Sequence, residues 1–238
     1  MVLVCQNPDS TKTKRFSIGL VFSPDYCYRT LKPDGASMSQ SIARQRDSTE
    51  TGRTGFTTGL SFLFQMNKRF TLETGIQYSD KGEQTKDMVL NFGSNIAPRN
   101  GFAYSGGSGA SNPVSANFVY HYNYIDIPLK ANYYLLTRRF KLFASAGLSV
   151  NVFLNERNNL VEKYSDGSSS SSSSTSSNGL SRINLAFVAG LGVSYSISNR
   201  LTIRMEPVYR RSITSIIDAP VKEYVYSIGL NTGLYYGF

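Results

Sequence analysis

Eight stretches of this chain alternate, residue by residue, between apolar side chains and small or polar ones. A period of two is the mark of a β-strand with one greasy face. The pattern opens with Phe16, Ile18, Leu20 and Phe22, interleaved by Ser17, Gly19 and Val21. It returns through Phe56–Phe64, Phe70–Tyr78, Ile125–Leu135, Leu142–Val152, Ile183–Tyr195, Leu201–Tyr209 and Tyr224–Phe238. The repeats run over roughly 10 to 16 residues, whereas soluble strands average about 5 to 6 and tilted membrane-spanning strands need about 9 to 11.

The connections alternate too. Gln65–Lys68, Thr137–Arg139 and Ser198–Arg200 are tight turns, while residues 30–53, 82–117, 156–180 and 211–222 make long loops. Short turns at one end and long loops at the other are the plan of an outer-membrane barrel, with the turns in the periplasm. An even strand count returns the chain to the turn side where it began. The fold class expected is therefore all-β, an eight-stranded antiparallel up-and-down transmembrane β-barrel with short periplasmic turns and long extracellular loops. Residues 15–238 form it, with a poly-Ser loop at 168–177. Residues 1–14 are expected to be an N-terminal periplasmic extension, and the leader that export requires is expected to be missing from this chain or replaced.

Eight-stranded lumens are narrow. Rows of Phe, Ile and Leu would overfill one, so the apolar face belongs outside, in lipid. The sheet must then close, because an edge in hydrocarbon leaves backbone groups unpaired. The polar parity carries Glu73, Lys130, Arg204 and Glu206, with Asp126, Lys141 and Arg210. Buried charges need partners, so Glu73, Lys130, Arg204 and Glu206 are expected to form a lumenal ion-pair network. Such a network reads as a plug; the other reading is a gate or an ion path. Tyr78, Tyr122, Tyr124, Phe140, Tyr236 and Phe238 lie near strand ends, where two aromatic girdles are expected. The poly-Ser tract cannot bury apolar surface and is expected to be mobile.

Composition removes other classes. No window approaches the ~18 apolar residues of a spanning helix. One His and two Cys exclude a disulfide scaffold and most His/Cys zinc sites. No metal ligand spacing or phosphate-binding Gly-rich loop is present, and no cofactor is expected. Net charge is +9, but the basic residues are scattered through turns and loops without a nucleic-acid motif, and at membrane edges they would meet lipid phosphates. Catalysis would need His121, near Asp126, in a Ser-His-Asp arrangement. A lone His between Tyr120 and Tyr122 reads better as an interfacial residue, so no enzyme is expected.

The run Tyr124-Ile-Asp-Ile-Pro-Leu-Lys130, then Ala131-Asn-Tyr-Tyr134 and Phe143-Ala-Ser-Ala-Gly-Leu-Ser149, resembles the central signature of the PorT-like ("porin family") outer-membrane β-barrel domain. The terminal Tyr236-Gly237-Phe238 resembles the C-terminal assembly signal of bacterial outer-membrane barrels, with Phe238 at its end. The resemblance implies a Gram-negative outer-membrane location and no reaction. The partners it suggests are outer-membrane lipid or lipopolysaccharide, the barrel-assembly machinery acting on the last strand, and other envelope proteins. The function expected is that of a structural or interaction subunit of an envelope or secretion assembly. A narrow gated channel for small solutes is the alternative.

Overall fold

The computed structural model describes residues 15–89, 95–96, 104–105, 113–136, 140–176 and 180–238. Eight long strands form the barrel: β1 (Phe16–Pro33), β2 (Glu50–Gln65), β3 (Phe70–Lys81), β4 (Pro113–Tyr134), β5 (Phe140–Tyr164), β6 (Ile183–Ser196), β7 (Leu201–Ser212) and β8 (Val221–Gly237). Each pairs antiparallel with its neighbour in sequence, and β1 pairs with β8 from Ser17↔Gly237 to Pro33↔Val221. The ring is closed, so no strand edge faces lipid.

The described turns are built by side chains that satisfy the reversing backbone. Between β2 and β3 the Asn67 Oδ1 accepts from the amides of Arg69 and Phe70, both at 2.8 Å. Between β6 and β7 the Ser198 hydroxyl accepts from Arg200 and Leu201 at 3.2 and 3.1 Å. Asn and Ser favour turns for this reason. Residues 137–139, the third expected turn, lie outside the described residues.

The sidedness is lipid-out. Leu20, Ile76, Leu129, Leu191 and Ile228 are 56 to 69% exposed on the outer wall, whereas Glu73, Lys130, Arg204 and Glu206 are 0 to 3% exposed inside. Interior glycines leave room for the charged side chains. A side chain at Gly229 would run into the Asp25 carboxylate, and one at Gly190 into that of Glu206.

At the loop end the wall rises well past the span. Strands β4 and β5 are 22 and 25 residues long. Between β1 and β2 a helix, α1 (Ser37–Thr49), sits against both strands and β8. The short strand Glu83–Thr85 pairs with Glu50–Gly52 of β2, and Gln84 pairs with Val119 of β4. Met88–Val89 pairs with Ser115–Ala116, so this part of the second long loop extends the β3–β4 hairpin; Leu90, Asn91 and Phe92 lie outside the described residues.

The poly-Ser tract differs from expectation. Ser169–Ser176 is a strand paired along Glu156–Lys163 of β5. Its order comes from the backbone ladder that the tall β5 offers, so apolar side chains are not required. The hairpin closes at Gly167, whose φ of 84° suits glycine, with the Tyr164 amide donating to the Ser168 carbonyl at 3.0 Å. Ser177, and residues 1–14 with Cys5, lie outside the described residues. Cys27 is buried and forms no disulfide among the described residues.

The girdle also needs one correction. Phe140, Tyr236 and Phe238 are exposed on the outer wall at the turn end, and Tyr78 lies at the loop end, donating to Asn123 at 2.8 Å. Tyr122 and Tyr124 instead face inward, 0 and 1% exposed. They share the parity of Asp126 and Lys130, and on a strand parity decides the face. Together with Phe118, Tyr120, Phe153, Leu160, Ile216 and Val225 they build an apolar core inside the loop-end wall.

Candidate functional site: the charged lumen

Three tiers of charge stack inside the barrel. The middle of the lumen is held by the four residues the alternation places there. Lys130 Nζ lies 3.0 Å from Glu73 Oε1 and 3.1 Å from Glu206 Oε2. Arg204 Nη1 lies 3.1 Å from Glu73 Oε2. Asn132 donates to Glu73 at 3.0 Å, Ser61 donates to it at 3.3 Å, and Ser145 donates to Glu206. The Arg204 guanidinium lies 4.1 Å from the centroid of the Phe143 ring and 5.3 Å from that of Tyr235. Two carboxylates thus meet two cations, each flanked by neutral donors or aromatic faces. Buried pairs persist when their remaining hydrogen-bonding capacity is satisfied in this way.

The second tier lies towards the loops. Asp25 accepts from Arg210 at 2.8 Å and from Ser23 and Thr57 at 2.6 Å. Lys81 pairs with Asp126 at 2.8 Å, and Asn151 donates to the same carboxylate. Between these two tiers remains a void of ≈ 10 Å³, lined by Gln77, Asp126, Lys130, Arg210 and Asn231 among others. That is roughly the room one water needs.

The third tier crowns the mouth. Arg29, 2% exposed, is ringed by Glu50, Glu83 at 3.4 Å and Glu223 at 2.7 Å. Arg46 reaches down from α1 to Glu223 at 2.7 Å and Glu50 at 3.3 Å. Tyr122 donates to Glu83 at 2.6 Å. Alternation alone could not show this cluster. Arg29 and Glu223 share the inward parity of their strands, but Glu50 and Glu83 come from the long loops, and only folding brings them together. The second tier was more accessible: Asp25 follows the inward parity of Ser17, Gly19, Val21 and Ser23, and Pro24 hid it by breaking the apolar run.

His121 does not meet Asp126. Its Nδ1 lies 3.0 Å from Asp80, which also takes two hydrogen bonds from Arg53 at 2.8 and 2.7 Å. Its Nε2 lies 3.3 Å from the Asn159 amide nitrogen. Both ring nitrogens are engaged, and Asp126 is held by Lys81. Among the described residues no group of three or more His, Cys, Asp or Glu is placed to hold a metal ion.

At the turn end the interior opens into a vestibule of ≈ 570 Å³. Arg15, Lys141, Arg200, Arg204 and Tyr235 are among the residues that line it.

A closed ring of eight strands, apolar outside and ion-paired within, defines an integral β-barrel of the Gram-negative outer membrane. The chain belongs to the outer membrane protein beta-barrel domain family, whose model matches residues 6–218. Among solved structures it is similar to Neisserial surface protein A, at 18% identity over 94% of this chain and 97% of that one, with a TM-score of 0.42. It is also similar to the outer membrane protein OprG from Pseudomonas aeruginosa, at 14% identity over 94% and 96%, with a TM-score of 0.46. The outer membrane protease OmpT from Escherichia coli is matched at 10% identity over 95% and 98%, with a TM-score of 0.42. No curated protein matches the chain.

Proposed function

We propose that this protein is a non-enzymatic structural or interaction subunit of the outer membrane, with a lumen closed by its ion-pair tiers. The observation that carries this reading is the ≈ 10 Å³ void left between the two membrane-level tiers. A hydrated ion finds no path there without breaking buried charge pairs. What remains for contact is the loop-end crown and the outer wall.

Three features support particular partners. An outward groove of ≈ 490 Å³ at the loop end combines Lys32 and Arg211 with Tyr209 and Tyr224, which suits the phosphates and acyl chains of outer-leaflet lipid or lipopolysaccharide. Phe238, 68% exposed beside Tyr236, presents a ring that the barrel-assembly machinery could grip. The run Tyr124–Lys130, which points Ile125, Ile127 and Leu129 outward and sends Asp126 and Lys130 into the lumenal tiers, supports a PorT-like affiliation and a place in a larger envelope or secretion assembly.

The test is electrical and biochemical. Purified protein in planar bilayers is expected to give no stepwise conductance above the lipid background, while mild-detergent extraction from its native membrane retains a protein partner. Discrete openings from the unmodified chain would overturn the closed-lumen reading in favour of a narrow gated channel.

A further inference from the structure

In both tiers above the plug every described cation facing the lumen has a carboxylate partner. The turn-end vestibule breaks that rule. Arg15, Lys141, Arg200 and Arg204 line it, and among the described residues no Asp or Glu does. Arg204 is matched by Glu73 behind it. Lys141 has no carboxylate partner among the described residues: its ammonium sits 5.6 Å from the centroid of the Tyr134 ring. Arg200 reaches the Tyr236 hydroxyl at 3.2 Å, a neutral contact. Hydroxyls of Ser17, Thr71, Ser194 and Thr202 complete the lining.

The surroundings strengthen that imbalance. The vestibule is walled by strands whose outer faces lie in lipid, and low-dielectric walls focus the field of charges that line a cleft. Like-charged groups gathered there without counter-charge lower their energy when an anion enters. The volume falls within the ≈ 300–1,000 Å³ of small-molecule sites, and the hydroxyls can hydrogen-bond anionic oxygens.

We propose that the turn-end vestibule binds a soluble periplasmic anion carrying more than one phosphate or carboxylate group. The site is blind: the ion-pair plug behind Arg204 closes its far side, so the ligand enters and leaves by the same mouth. Its recognition rests on charge and hydroxyl donors and needs no movement of the barrel.

Titration calorimetry of the full chain in zwitterionic micelles at low salt tests this, with pyrophosphate, citrate and inorganic phosphate as probes. The expected result is saturable one-to-one binding, tighter for pyrophosphate and citrate than for phosphate, and weaker as salt rises. Lys141→Gln and Arg15→Gln should each weaken it by about threefold to tenfold. Lys68→Gln, exposed in the β2–β3 turn outside the vestibule, should leave it unchanged. Heat-modifiable gel migration checks that each variant is a folded barrel. Absence of saturable binding, equal binding by Lys141→Gln, or an equal loss in Lys68→Gln would overturn the proposal. So would loss of pyrophosphate binding when anionic phosphatidylglycerol is added to the micelles, since a lipid headgroup would then be the occupant.

Discussion

The middle of the lumen and its turn end use the same side-chain chemistry to opposite ends. In the middle, Glu73 and Glu206 face Lys130 and Arg204, and the charges cancel within a packed interior. At the turn end Arg15, Lys141 and Arg200 gather around open space with no Asp or Glu among the described residues that line it. Burial explains the difference. A charge withdrawn from water must be neutralised or it costs several kcal/mol, whereas a charge beside a water-filled cup can stay uncompensated and remain available to a ligand. In this barrel paired charge is architecture and unpaired charge is a candidate for recognition.

The largest way to break the contrast is to make the middle resemble the turn end. Glu73→Ala leaves Lys130 and Arg204 with Glu206 as their shared counter-charge. It is expected to destabilise the barrel by about 3–5 kcal/mol, read as a lower urea midpoint for the folded gel band in lipid vesicles. Next comes the crown. Arg29→Ala strips Glu50, Glu83 and Glu223 of their central cation. Its cost should be nearer about 1–3 kcal/mol, because Arg46 still pairs with two of the three carboxylates. If Arg29→Ala costs more than Glu73→Ala in the same assay, the dominance of the mid-lumen tier is refuted.

Smaller effects sharpen the contrast. Deleting Ser169–Ser176 removes a ribbon whose residues are nearly all exposed. It should change stability by no more than about 0.5 kcal/mol while leaving gel migration of the folded barrel intact. Smallest is the exposed pair above the membrane. Lys163 donates to Asp87 at 2.6 Å and holds that carboxyl below its ordinary range. A carboxyl lowered by folding contributes stability above its unfolded pKa and loses it as pH falls through the folded value. The protection factors of the Met88 and Val89 amides, taken against the intrinsic exchange rate at each pH, should therefore fall on acidification, and Asp87→Asn should remove that pH dependence.

Much of this was legible in the chain, and the reason is mechanical. Period two assigns each side chain to a face, so Glu73, Lys130, Arg204 and Glu206 fell on the lumenal side without any knowledge of register. The turn chemistry of Asn67 and Ser198 was equally local. Where inference failed, the strand was longer than its apolar alternation: Tyr122 and Tyr124 lie just before the run that starts at Ile125, yet they fall midway along β4 and share the face of Asp126. The Arg29 cluster and the Asp80–His121–Asn159 contact were beyond reach, because residues from separate loops and strands meet only once β4 and β5 rise past the membrane. The Ser169–Ser176 ribbon was missed for another reason. A ladder of backbone hydrogen bonds does not depend on the hydroxymethyl groups it displays.

Strands β3 and β7 stand opposite one another in the ring, and Arg204 joins them through Glu73. No hairpin, and no half of the chain, contains both ends of that tie. A partly built sheet released into the bilayer would carry unmatched ions among acyl chains, a cost that vanishes only when the ring closes and the two halves of the chain meet.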